Sequence, residues 1–121
     1  MEIRIFNSGE FSIAELISEH IEINDQQDAL DLMGDASYQG VNRLIVSEKN
    51  LHPDFFDLKT GVAGEILQKF STYNVYLAIV GDFSKYPGKS LRDFIYESNN
   101  VGRINFVTTK EEALQALTKR K

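Results

Sequence analysis

The chain contains no cysteine. That absence removes disulfides, thiolate metal sites and cysteine nucleophiles together. It is compatible with a reducing compartment. Long apolar runs are missing too: none approaches the roughly 20 residues that a membrane-crossing helix needs. The opening stretch MEIRIFNSGEF lacks the basic-then-apolar pattern of a secretory signal, so the expected setting is the cytoplasm. Positive charge is scarce. Thirteen Lys and Arg stand against 18 Asp and Glu, a formal net charge of −5. Such a chain is repelled by a phosphate backbone unless it gathers a basic patch. The only dense basic run is Lys119-Arg120-Lys121, which reads as a solubilising, dipole-compensating tail after a helix. Nucleic acid and membrane are therefore not expected partners.

Several catalytic patterns are absent as well. His20 and His52 are far apart, with no spacing that suits zinc, and no metal or cofactor is expected. No serine sits in a Gly-x-Ser-x-Gly elbow. The loop Gly81 to Ser90 ends in Gly-Lys-Ser. A phosphate-binding loop would need glycine five positions before Gly88, and Phe83 stands there. Ser84, Lys85 and Lys89 still make this the most basic loop of an acidic chain, and weak anion binding is its functional reading.

What is present reads as one domain over residues 1–121. Glu2 to Phe6 alternates as a strand, Asn7-Ser8-Gly9 is turn chemistry, and Phe11 to Ile17 returns as a second strand. Ile21 to Ile23 has the alternation of a short strand. Asp25 is placed to cap a helix that carries Ala29, Leu30, Leu32 and Met33 and is expected to stop near Gly34. Leu44-Ile45-Val46 reads as a buried strand. Phe55 and Phe56 anchor a loop or short helical turn after Pro53. Val62, Ile66, Leu67 and Phe70 fall at helical spacing. Tyr73 to Val80 is the strongest strand, ended by Gly81-Asp82. Ser90 is expected to cap a helix running to about Asn99. Ile104 to Val107 is the last strand. Thr109 and Glu112 have capping-box spacing and open a final helix with Ala113, Leu114 and Leu117. Strands alternating with helices after a hairpin predict an α/β domain with a mixed, mostly parallel sheet of about five strands and helices mainly on one face.

This order of elements resembles the STAS fold, found in anti-sigma factor antagonists and in cytoplasmic domains of sulfate transporters. Phe56-Asp57 followed by Thr60-Gly61 resembles the STAS loop, in which an acid precedes serine-glycine at a helix start. Here the loop is one residue longer, and Lys59 replaces a small residue. The resemblance implies a phospho-acceptor at Thr60 and a protein partner. The stretches DALDLMG, PDFFDLKTG, AGEILQKFS, AIVGDFS and KSLRDFIYESN resemble, over nearly the whole chain, an uncharacterised bacterial family, domain of unknown function 4180.

The residues around Thr60 carry two readings of their own. A phosphate on Thr60 would face free backbone N–H groups and the positive end of a helix, with Lys59 beside it. Otherwise Thr60 is simply the helix cap, with Gly61 easing entry. Gly64, costly inside a helix, signals close packing or room for a ligand. Asp82, just past a strand end, stands where open α/β sheets bind ligands, close to Glu48 and the Asp54 to Asp57 stretch; equally, it shapes a turn. The expected function is a non-catalytic regulatory or protein-interaction module. Its surface comprises Asp57, Lys59, Thr60, Gly61, Asp82, Ser84 and Lys85, and Thr60 is the phospho-acceptor candidate. The expected partner is another protein, with a second copy of the chain, paired through the sheet edge or a helix, as a further expectation. The alternative is a small enzyme or metabolite-binding protein with a pocket at the strand C-termini around Asp57, Asp82 and Lys85.

Overall fold

The computed structural model describes residues 1–119. Strands β1 (Glu2–Ser8) and β2 (Phe11–Ile17) form an antiparallel hairpin. Its two-residue turn is Gly9-Glu10, one step later than the turn chemistry suggests. Gly9 has φ 61°, the left-handed value that a hairpin turn with glycine first requires. Helix α1 (Gln26–Tyr38) follows, then β3 (Arg43–Ser47), α2 (Val62–Thr72), β4 (Tyr76–Val80), α3 (Lys89–Val101), β5 (Ile104–Val107) and α4 (Lys110–Leu117). The sheet runs in chain order, β1-β2-β3-β4-β5, and every pair after the hairpin is parallel. The domain is thus α/β with a five-stranded mixed sheet.

Layering follows from handedness. The crossovers from β2 to β3, β3 to β4 and β4 to β5 all step the same way across the sheet. Right-handed crossovers in one direction place their helices on one face. The main core accordingly joins Ala14, Leu16, Leu44, Val46, Leu77 and Ile79 to residues of α1, α2 and α3. Helix α4 has no crossover to make and covers the other face, with Ala113 and Leu117 on Ile13, Ile45 and Ala78. β3 and β4 are buried on both faces through their middle three residues, which is why both read as continuous apolar runs.

Caps decide several boundaries. Asp25 accepts from Asp28 N at 3.0 Å, as its position suggests. The Thr109–Glu112 capping box is formed in both directions. Three boundaries differ from expectation. α1 continues through Gly34 to Tyr38, because one glycine costs only about 1 kcal/mol while buried Ala36 lies beyond it. α3 starts at Lys89 behind Gly88, whose φ is 110° and which offers no side-chain cap; Ser90 is already inside the helix. β4 starts at Tyr76, after Asn74 turns the chain with φ 57°. Ile21 to Ile23 forms no strand of its own, only a single parallel bridge from Ile23 to Leu51.

That bridge rests on a buried polar residue. Asn50 is fully buried. Its amide donates to the carbonyls of Ser18 and His20, at 3.1 and 2.9 Å, and its side-chain oxygen accepts from Ser47 N at 3.0 Å. Its own carbonyl accepts from Glu22 N and Ile23 N. One side chain thus ties the segment before α1 to the segment after β3. Among the described residues no helix is long and apolar enough to cross a membrane.

Candidate functional site

Between β3 and α2 the chain makes three successive 3-10 turns, Glu48–Asn50, Pro53–Phe56 and Leu58–Thr60. Each is opened by a side chain. Ser47 closes a capping box with Asn50. His52 Nδ1 accepts from Asp54 N at 3.0 Å, and Asp57 accepts from Lys59 N at 3.3 Å. Such local bonds are what Ser, Asn and Asp offer where regular structure is absent. From below, Phe55 and Phe56 sink into the main core. Their rings meet edge-on at 5.0 Å, and Phe56 stacks on Tyr86 at 4.6 Å and 14°. The loop is held from both sides while Asp54, Asp57, Lys59, Thr60 and Gly61 stay exposed.

Thr60 is the knot of this loop. Its hydroxyl lies 2.7 Å from the Asp54 carbonyl and 2.8 Å from the Asp57 carbonyl, between which its one proton is shared, and it accepts from Val62 N at 3.2 Å. The residue in the cap position is Gly61, with φ 80° and no side chain to offer. The expectation that Thr60 is the cap is thereby corrected. Thr60 sits one residue earlier and binds the first helical N–H from there. The reason is the third 3-10 turn, which uses Leu58 to Thr60 and leaves the left-handed entry to glycine. Gly64 is exposed, and a Cβ there would meet nothing within 4 Å. Close packing does not explain it.

Asp82, Ser84 and Lys85 form a second group, past the end of β4. Asp82 accepts from Ser84 N at 3.1 Å and from its hydroxyl at 2.6 Å. These bonds, the hydroxyl first, hold the Asp82 carboxyl below the usual range. The acid shapes its own turn. Lys85 pairs with Glu48 at 2.6 Å, and among the described residues it forms no ion pair with Asp57 or Asp82. The two groups are neighbours through their aromatic floor, where Phe56 touches both Phe83 and Tyr86.

Glu48 is the hub that sequence reasoning reduced to one acid among several. Its side chain is only 11% exposed. It accepts from the Tyr86 hydroxyl, from Lys85 and, at 3.3 Å, from Asp82 N. Burial, then the bond to Glu48, pushes the Tyr86 hydroxyl well above its ordinary range, so it is a fixed donor at neutral pH. Glu48 and Tyr86 are 38 positions apart, and only the parallel pairing of β3 with β4 brings them together. The available signal was Gly81. A Cβ there would stand 2.5 Å from Glu48 Cβ and 2.6 Å from its Oε1. Gly81→Ala is therefore expected to cost about 1–3 kcal/mol by overpacking. Adding Glu48→Gly should recover part of that loss, while Glu48→Ala should not, because its Cβ keeps the clash. Urea denaturation of the double-mutant cycle checks this, and equal coupling for both pairs would refute it.

The site residues are thus satisfied mainly by one another and by backbone. None of five surface clefts elsewhere on the domain is lined by Asp57, Asp82 or Lys85. Among the described residues no three carboxylates or histidines cluster as ligands for a metal ion.

A family model with the description "Domain of unknown function (DUF4180)" matches residues 8–117. The chain belongs to that family. No curated protein and no solved structure matches it, so the STAS likeness stays a resemblance in the order of elements.

Proposed function

We propose that this member of the DUF4180 family is a non-catalytic regulatory module that binds another protein through the loop around Thr60, and that phosphorylation of Thr60 controls the contact. The observation that carries the reading is the Thr60 hydroxyl, exposed yet sharing its proton between two carbonyls of adjacent 3-10 turns. A phosphate ester has no hydroxyl proton to donate, so the proton shared between the two carbonyls is lost on modification. The ester also adds about −1.5 to −2 charges at neutral pH. Among the described residues the N–H groups of Ala63 and Gly64 have no acceptor outside the helix, and a helix N-terminus favours such an anion. Modification would therefore exchange a tied loop for a rearranged, more acidic surface. A rigid polar loop on an aromatic floor suits recognition. The pocket alternative loses ground because Lys85 is engaged by Glu48 and Asp82 by Ser84.

The test is phosphopeptide mapping of the protein purified from its own cells, combined with hydrogen exchange. We expect phosphate on Thr60 and faster exchange across the loop in the modified form. Thr60→Val, which removes the same donor, should speed exchange in the same segment and cost about 1 kcal/mol. Thr60 unmodified under all growth conditions, with partner capture unchanged in Thr60→Val, would sink the proposal.

A further inference from the structure

At the end of the sheet opposite Thr60 the strands begin. There Phe11, Arg43, Tyr76 and Arg103 stand at or next to the first residues of β2, β3, β4 and β5. The Arg43 guanidinium lies 4.3 Å from the Phe11 ring centre and 4.8 Å from that of Tyr76. The Arg103 guanidinium lies 4.8 Å from the same Tyr76 ring. The two cations are therefore at most 9.6 Å apart. Aromatic stacking holds a guanidinium in place and leaves its N–H groups free to bind.

Among the described residues no carboxylate forms an ion pair with Arg43 or Arg103. Arg43 donates Nε to the Leu117 carbonyl at 2.8 Å and Nη1 to Asn42 at 3.0 Å. The rest of its five N–H groups have no acceptor among the described residues. Arg103 Nη1 is buried with no partner at all. A buried donor without an acceptor requires an explanation, and two like charges held close together strengthen that requirement.

A cavity of about 130 Å³ opens beside Arg43; Tyr76, Asn100, Asn105, Leu117 and Lys119 help to line it, and Arg103 stands outside its lining, across the Tyr76 ring. A cavity of about 150 Å³ accommodates benzene, so this one has room for a group of five heavy atoms. Its walls supply a guanidinium, an ammonium and an amide. The helix ends nearby take up only part of this donor set. The Leu117 carbonyl of α4 already takes Arg43 Nε, and the Gly102 carbonyl after α3 takes Asn105 Nδ2 at 3.0 Å.

We propose that this cavity binds a small oxyanion, a phosphate or carboxylate group. Arg43 and Lys119 contact it, and Arg103 adds a second positive charge beyond the Tyr76 ring. The site is independent of the Thr60 loop and of its proposed role.

Amide NMR of the full chain decides it. Inorganic phosphate and, separately, acetate are titrated at constant ionic strength set by chloride. We expect saturable shifts confined to the cavity residues. Arg43→Gln should weaken the binding about tenfold, the loss of a charge-assisted hydrogen bond. Because Arg43 also holds the end of α4, Arg103→Gln is the second variant. Among the described residues its side chain makes no hydrogen bond, so the fold should persist while binding weakens. Saturation by phosphate, by acetate or by both supports an oxyanion site and identifies the group. Linear shifts for both probes, saturable shifts at helix N-termini instead, or wild-type affinity in both variants overturn the proposal.

Discussion

Phe55→Ala is expected to lower the unfolding free energy by about 3–5 kcal/mol, the range for deleting a buried aromatic ring. Phe55 is only 1% exposed. Its ring lies 5.0 Å from Phe56 and 6.4 Å from Phe106, so the cavity would open under the Thr60 loop and beside β5 at once. A loss of that size is a large share of the stability of a small domain. Urea denaturation should show a lower midpoint with an unchanged slope. Phe55→Leu, which keeps much of the volume, should cost clearly less. A Phe55→Ala loss below about 1.5 kcal/mol would mean that the loop collapses into the space, and the rigid floor assigned to it would be wrong.

Asn50→Ala should cost about 3 kcal/mol, with a distinct signature. The substitution removes two donated bonds and one accepted bond. It leaves the Ser18 and His20 carbonyls facing a space that offers them nothing. Unsatisfied buried groups cost about 1–3 kcal/mol each, and water entering the gap offsets part of that. The structural effect should be local to the segment between β2 and α1, which Asn50 holds against β3's loop. Hydrogen exchange should therefore speed up at Glu22 and Ile23, whose N–H groups bind the Asn50 carbonyl, and stay slow in β4. Asn50→Asp is the sharper control. It keeps the shape but replaces two donors with a carboxylate facing two carbonyls, and it should be at least as damaging at neutral pH. If Asn50→Asp were tolerated, the amide network would not be what joins the two segments.

The fold was largely legible because its signals are local. The apolar runs of β3 and β4, the periodicity of α2 and the Thr109–Glu112 box each lie within a few residues. Alternation of strand and helix, with the handedness of crossovers, then leaves few arrangements. Two of the three misplaced boundaries turn on weak end preferences. Gly34 and Ser90 carry stop and start preferences that are worth about a kilocalorie. Burial of Ala36 outweighs the first. At the second, the chain enters α3 through Gly88 instead.

The site was legible only in its outline. Asp57, Lys59, Thr60 and Gly61 do share one exposed loop, and Asp82, Ser84 and Lys85 share another. What binds those loops was hidden. Lys49-Asn50-Leu51-His52 reads as an ordinary polar loop, and nothing local marks Asn50 as fully buried. The Lys85–Glu48 pair and the Tyr86–Glu48 bond span more than 35 positions. Periodicity cannot report such distances; the strand pairing that creates them had to be seen first.

The identity of sheet order and chain order has a kinetic consequence. Each strand finds its neighbour in the stretch of chain made just before it, so no gap in the sheet waits for a strand still to come. Closing one crossover at a time, never several together, limits the entropic toll of each step. Low separation between paired segments goes with fast folding. A nascent chain of this design can add strands singly to a growing sheet during synthesis, exposing one new edge at each step and covering it with the next.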